Sequence, residues 1–285
     1  MAVQILTDST SYLTEAIRKE LSIRMVSLNI SFGDISMREM DIDNESFYEM
    51  MATKRIPTSS QPAIGELYNE MISVVEGGDS LCCIFLSSDM SGTFATGKIA
   101  KEMVLEKYPD AKIEIVDSRS NCMQLGFAVI QAARAAKQGK ELDQVKEAAL
   151  ENIKRSRFLF IPDNLEYLKK GGRIGGAGAL IGNLFKIIPI LTVEEGKTSI
   201  LAKVRMKEKA VLTMVERMLQ DIKQYGLGGI AVLHINCLKE AKDLSQMIRD
   251  KLKVDIDISD IGPVIGLHVG PGTVAIAYYT ERDMR

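Results

Sequence analysis

The chain has 285 residues, of which 46% are hydrophobic and 26% charged, with a net charge of −2. That is an ordinary globular composition, long enough for about two domains of usual size. The charge balance leaves no broad basic field and excludes non-specific nucleic-acid binding.

Four cysteines, Cys82, Cys83, Cys122 and Cys237, form no CxxC pair, and only His234 and His268 accompany them, so no structural zinc site is expected. Cys82, Cys83 and Cys237 lie in apolar strand-like runs and read as reduced core thiols of a cytosolic protein. The start, MAVQILTDSTS, has no basic stretch leading into an apolar run of signal-peptide length, which points to a cytoplasmic chain.

In chain order, Val3 to Leu6 reads as a buried strand, Thr14 to Leu21 as a helix and Met25 to Phe32 as a second strand. A helix from Asn44 to Thr53, with Asn44 as its N-cap, precedes the loop PTSSQP (57–62). A helix over Ile64–Glu76, a continuous apolar strand over Leu81–Leu86 and a helix from Ser91 follow. Ile113 to Val116 is a strand and Asn121 to Lys137 a helix. This alternation predicts a parallel sheet with helices on both faces.

A charged helix from Asp143 to Arg157 leads to a second α/β unit beginning at Phe158, so the expected domains are 1–158 and 159–285, within about ten residues. The glycine-rich GGRIGGAGALIG (171–182) comes next, then strands over Ile187–Val193 and Thr198–Val204. The helix Lys207–Tyr225 carries Val211, Met214, Val215, Met218 and Ile222 on one face. Ile230–Ile235, a helix to Leu252 and Val254–Ile258 follow. Ile261 to Thr280 holds too many glycines and prolines for a membrane span, and reads as two buried strands around a Gly-Pro-Gly turn.

Hydroxyl-rich segments follow three strands: Thr7-Asp8-Ser9-Thr10, Ser87-Ser88-Asp89-Met90-Ser91-Gly92-Thr93 and Asp117-Ser118. Strand ends in an open parallel sheet gather on one rim, where ligands bind. Taken singly, each segment reads first as a set of helix caps and turn formers; together they suggest a polar site. The loops carry no basic residue but Arg119, so the site suits an anionic group cradled by hydroxyls and helix amides.

A Ser-His hydrolase using His268 is the alternative, although no GxSxG elbow is present. Gly196-Lys197-Thr198 lacks the first P-loop glycine, because Leu191 stands there, and GGRIGGAG lacks GxGxxG spacing, so neither ATP nor NAD is expected. Gly175, Gly176, Gly178, Ala179 and Gly182, with Gly262, Gly266, Gly270 and Gly272, either line a narrow channel or serve tight packing. The 15 methionines suit a flexible apolar ligand as well as an ordinary core.

TDSTSYL (7–13), PTSSQP (57–62), SSDMSGT (87–93), Asp117-Ser118, LEYLKKGGRIG (165–175) and GPVIGLHVGPG (262–272) together resemble the DegV family from end to end. The resemblance implies two α/β domains with a ligand tunnel at and below their interface, holding a long-chain fatty acid. It implies a carrier without chemistry or cofactor of its own, presenting the carboxylate to a separate ATP-binding fatty acid kinase subunit, which makes an acyl phosphate for phospholipid synthesis. Transient contact with a membrane surface is compatible with that role.

Carried over by motif, Thr58, Ser91, Gly92, Thr93 and His268 hold the carboxylate, and Arg173 and Arg205 face the kinase. Many members have two threonines where this chain has Thr58-Ser59. The segment from Asn164 to Leu184, with its glycines, is the expected gate for loading.

Overall fold

The computed structural model describes residues 2–53, 56–180 and 187–284. The first domain runs β1 (Val3–Asp8), α1 (Glu15–Leu21), β2 (Ile23–Val26), β3 (Asn29–Phe32), β4 (Ile35–Arg38), α2 (Asn44–Thr53), β5 (Thr58–Ser60), α3 (Ile64–Glu76), β6 (Ser80–Phe85), α4 (Thr93–Lys107), β7 (Ile113–Asp117), α5 (Cys122–Lys137) and α6 (Leu142–Lys154). Its main sheet has the order β2-β1-β6-β7, parallel throughout.

Every residue of β6 is buried, because helices cover both faces of the sheet. Leu6, Leu81, Cys83 and Phe85 pack with Leu67, Met71, Ala100 and Val104 of α3 and α4, whereas Ile5, Cys82 and Ile84 face α5 and α6. The alternation follows from the two-residue period of a strand.

The strand expected over Met25–Phe32 is two strands in two different sheets. The chain turns at Ser27–Leu28, where the Leu28 N–H donates to Ser9 Oγ at 3.0 Å instead of continuing the ladder. β3 then enters a small antiparallel sheet of order β4-β3-β5. Neither β4 nor β5 was expected: β4 alternates apolar and polar residues but is only four residues long and mostly exposed, and β5 is the middle of PTSSQP. The cap of α2 is Asp43, whose Oδ2 accepts from Ser46 N at 2.9 Å, rather than Asn44.

The second sheet starts with β8 (Ser156–Ile161) and continues through α7 (Glu166–Lys170), β9 (Ile188–Glu194), β10 (Lys197–Val204), α8 (Lys207–Tyr225), β11 (Gly229–His234), α9 (Leu238–Leu252), β12 (Asp257–Asp260), α10 (Pro263–Val269) and β13 (Val274–Tyr279). Its order is β10-β9-β8-β13-β11-β12, antiparallel except for the β11–β12 pair. α8 and α9 cover one face through Met214, Val215, Met218, Leu244 and Ile248. α5 lies against the other face, so this one helix packs on both sheets. Of its residues, Cys122 through Ile130 are all buried.

Three further expectations are corrected. The last strand of the α9 connection is β12, three residues later than Val254. Cys237 caps α9 instead of lying in a strand, although all four cysteines are buried free thiols. The stretch Ile261–Thr280 is a helix and a strand, α10 and β13, not two strands. α10 is buried and apolar at every position but His268, so it shows no helical period; Pro263 at its first position is the one local sign of a start. Among the described residues, no helix is long and apolar enough to cross a membrane.

A neutral-donor cleft between the domains

The strand-end segments do meet. Asp8 Oδ1 accepts from Thr10 N at 3.0 Å and Thr10 Oγ1 at 2.6 Å, and its Oδ2 accepts from Leu86 N at 2.8 Å, tying β1 to the end of β6. Burial raises the Asp8 carboxyl to about 6, against the pull of those donors. Ser88 N and Arg119 N both donate to Asp117 Oδ1, at 3.2 and 2.9 Å.

The same rim is clasped to the second domain. Ser87 Oγ donates to Gly196 O at 2.7 Å, Arg119 donates to Glu195 O, and Asp89 pairs with Arg119 at 2.6 Å and with Lys197 at 3.4 Å. Glu195-Gly196 is the tip of the β9–β10 hairpin, with both residues at positive φ.

Beside this clasp lies a cleft of about 70 Å³. Its polar lining is Ser59, Ser60, Gln61, Ser91, Asn121, Arg173 and His268, with the Gly92 backbone. Leu28, Leu86, Leu168, Val264, Ile265 and Val269 form its apolar floor. A larger groove of 660 Å³ opens between α5, Tyr12 and the β11–β12 edge, but none of the hydroxyl-rich strand-end segments, nor PTSSQP, contributes to its lining. The cleft is therefore the better ligand site, since specificity comes from convergent donors rather than from volume.

His268, on α10, shares a hydrogen bond of 2.9 Å between Nε2 and Ser59 Oγ. Burial, and then the charge of Arg173, lowers its pKa to about 4, so the ring is neutral near pH 7. Its Nδ1 has no hydrogen-bond partner. It faces Gly171, where a Cβ would lie 2.2 Å away.

A Ser-His pair thus exists, but it is not a hydrolytic dyad. Among the described residues no carboxylate orients the imidazole, and burial and a neighbouring cation both oppose the imidazolium that would form on taking the serine proton.

Of the other expected residues, Ser91 Oγ lies 3.0 Å from Thr93 Oγ1 and accepts from Thr93 N, so Ser91 rather than Gly92 supplies the side-chain cap of α4. Thr93 is buried behind it. Gly92 lets the Gln61 amide lie against the loop, because a Cβ there would meet it at 3.2 Å. Arg173 borders the cleft, donating to Met90 O at 3.1 Å and Gly171 O at 2.6 Å. Arg205 is exposed past the end of β10 and outside the cleft lining.

Thr58 also lies outside the lining: it sits opposite Ser31 in the β5–β3 pair and is exposed, and the hydroxyl that reaches His268 belongs to Ser59. Ser60 and Gln61 line the cleft beside Ser59, so the donors of PTSSQP are its last three polar residues and not its first. Asn121 was also missed. At the N-cap of α5 it makes no side-chain cap; its Nδ2 meets Met90 Sδ at 3.1 Å, and its Oδ1 is buried without a partner. The sequence pointed the other way, because an Asn ahead of a helix normally caps it.

Of the glycines read as lining a channel or serving tight packing, Gly175, Gly262, Gly266 and Gly270 are closely packed, whereas Gly176 and Gly178 meet nothing nearer than 3.7 Å. A Cβ on Gly266 would lie 1.9 Å from Tyr48 Oη, and one on Gly270 2.3 Å from the Tyr167 ring. Gly182 and the end of the expected gate, residues 181–184, lie outside the described residues. Among the described residues, no cluster of His, Cys, Asp and Glu could hold a metal ion.

The fold and site define a two-domain α/β protein with a small, mostly uncharged cleft at the domain seam. The sequence pattern of the DegV family, described as uncharacterised proteins, matches residues 2–281. The chain belongs to the DegV family. A DegV domain-containing protein of Clostridium acetobutylicum is 66% identical over 285 residues, covering all of both chains. The structure of DegV from Bacillus subtilis, named a fatty acid binding protein, superposes with a TM-score of 0.87 at 33% identity, covering 99% of this chain and 100% of that one. A DegV family protein of Thermus thermophilus, described for its fatty acid binding, gives a TM-score of 0.87 at 25% identity, covering 98% and 100%.

Proposed function

We propose that the protein binds a long-chain fatty acid, with its carboxylate in the cleft and its tail in a tunnel between the domains, and presents that carboxylate to a separate ATP-dependent kinase subunit. The observation that carries this is the pairing of neutral donors with an apolar floor: Ser59, Ser91, Asn121, His268 and the Gly92 backbone above Leu28, Leu168, Val264 and Ile265. The fatty acid binding named for the Bacillus and Thermus relatives supports it.

The energetics suit a lipid. Each buried methylene contributes about 0.8 kcal/mol, so the tail supplies the affinity and the head needs orientation. Neutral hydroxyls and amides satisfy a carboxylate without the desolvation of a buried ion pair. At 70 Å³ the cleft takes the head group alone, so the tail enters only if the floor parts. The glycine-bordered segment from Asn164 is the proposed gate, with exposed Arg173 and Arg205 facing the kinase.

Native mass spectrometry of freshly purified protein tests the binding step: a retained fatty acid, or uptake of palmitate or oleate, is expected. An empty protein that takes up neither sinks the proposal. Acyl phosphate formed from the bound acid, only when a kinase subunit and ATP are added, tests the presentation step.

A further inference from the structure

α10 belongs to the second domain but is fastened to the first at both ends. A helix leaves its first N–H groups without intrahelical acceptors, and the cap residue here, Gly262, has no side chain to meet them. The acceptors come from the other domain. Glu39 Oε1 takes the Val264 N–H at 2.8 Å, and Tyr12 Oη takes the Ile265 N–H at 3.1 Å.

Those two acceptors are themselves held. Tyr12 Oη lies 3.0 Å from Glu39 Oε1 and donates to it. Ser9 Oγ donates to Glu39 Oε2, and Leu28 N donates to Ser9 Oγ at 3.0 Å. Tyr48 Oη donates to Ile261 O at 3.2 Å, in the space that Gly266 leaves. Glu39, at 5% exposed, is thus a buried carboxyl whose Oε1 is engaged across the domain seam while Ser9 holds Oε2 from within its own domain.

At the far end of the same short helix stands His268. One side-chain bond, to Ser59, holds its ring, and Nδ1 has no partner. The ring's place is therefore set by the helix that carries it. From Val264 to His268 is about 6 Å along the axis, at about 1.5 Å per residue. A small rotation or slide of α10 would carry the imidazole away from Ser59 and from the cleft.

We infer that Glu39 and Tyr12 are positioning residues for the head-group site: by capping α10 from the opposite domain, they fix where His268 stands. Neither lines the cleft, so their influence on a ligand there runs through the helix. The inference rests on the head-group role proposed for the cleft.

The test compares palmitate with hexadecanol, which keeps the tail and lacks the carboxylate, on Tyr12→Phe, Glu39→Ala and Glu39→Gln. Tyr12→Phe removes the acceptor for Ile265 N and is expected to weaken palmitate about tenfold and leave hexadecanol unchanged. Glu39→Gln retains an acceptor for Val264 N and keeps palmitate within threefold of wild type, whereas Glu39→Ala loses about tenfold. In a His268→Ala background Tyr12→Phe adds no further loss.

Equal weakening of both lipids, or a loss that persists without His268, overturns the inference. The His268 imidazole resonance provides a readout independent of any lipid; there are only two histidines to assign. It shifts in Tyr12→Phe if the cap positions the ring, and an unmoved resonance overturns the inference. Should wild type bind neither lipid, the fatty-acid reading fails and that resonance alone decides the positioning.

Discussion

The two histidines occupy contrasting surroundings. His234, at the end of β11, is 4% exposed and has a partner for each nitrogen: Nε2 stands 3.1 Å from Asp260 Oδ1, and Nδ1 accepts from Cys237 N at 3.4 Å. A neutral ring satisfies both contacts, and burial, the largest influence, lowers its pKa. His268 has one partner and an idle second nitrogen, beside a cleft and an arginine. A fully partnered imidazole joins strands; a half-partnered one at a cleft wall is free to engage something else. The chemistry of a histidine here follows from the count of its partners more than from its burial.

The sharpest way to break this contrast is to truncate each in turn. His268→Ala is expected to lower fatty-acid affinity about 10- to 100-fold, the range for a hydrogen bond to a charged group, with the melting temperature nearly unchanged. His234→Ala is expected to do the reverse, costing about 1–3 kcal/mol of stability by stranding buried groups and leaving affinity unaltered. Calorimetry and lipid titration of both variants check the pair. The same loss of affinity in both would erase the distinction.

A smaller effect is expected at Gly171, where an added Cβ collides with His268 Nδ1. Gly171→Ala has an ordinary backbone angle to adopt, so its effect is to push the ring: affinity falls about tenfold and the His268 resonance moves, with His234 unaffected.

The pH dependence sharpens the comparison from another side. Burial raises Glu39 to about 7, with Asp8 adding repulsion and Ser9, Val264 and Tyr12 opposing it. Tyr12, Tyr48 and, beyond Tyr12, Cys122 are the other titratable groups around it. A carboxyl raised in the folded state binds more protons there than when unfolded, so its contribution is present at low pH and is lost as pH rises from about 4.5 to about 7. Glu39→Gln removes that loss and is expected to gain up to about 3 kcal/mol over wild type at pH 8 and little at pH 4. His268, lowered to about 4, has the opposite sign: it costs stability as pH falls from about 6.5 to about 4, and His268→Ala flattens that limb. Denaturation curves across pH 4–8 read both. The smallest effect is expected within one strand: Ser59→Ala weakens binding about fivefold and Thr58→Ala less than twofold, measured by palmitate titration.

Much of the first domain was legible because its strands are continuous apolar runs ending in hydroxyl-rich turns. Val3–Leu6 with Thr7–Thr10, and Leu81–Leu86 with Ser87–Thr93, announce both the sheet and the rim where the cleft lies. What was hidden depends on contacts far apart in sequence. α10 looked like a strand because the groups that cap it, Glu39 and Tyr12, are more than 220 residues away. β5 looked like a loop because, among the described residues, its only ladder partner is β3. Ser59 and Asn121 could not be singled out until the bond of one to His268 and the idle amide of the other were visible.

α5 offers a final consequence. It lies wedged between the two sheets: Gln124 Nε2 donates to Ser156 O at 3.0 Å, Gln131 Nε2 to Tyr279 Oη at 3.1 Å, and Phe127 meets the Tyr279 ring at 5.0 Å. Pulling the lobes apart like jaws would strip solvent protection from a helix that neither lobe alone can cover. The molecule is therefore expected to melt as one cooperative unit, with a single transition in calorimetry.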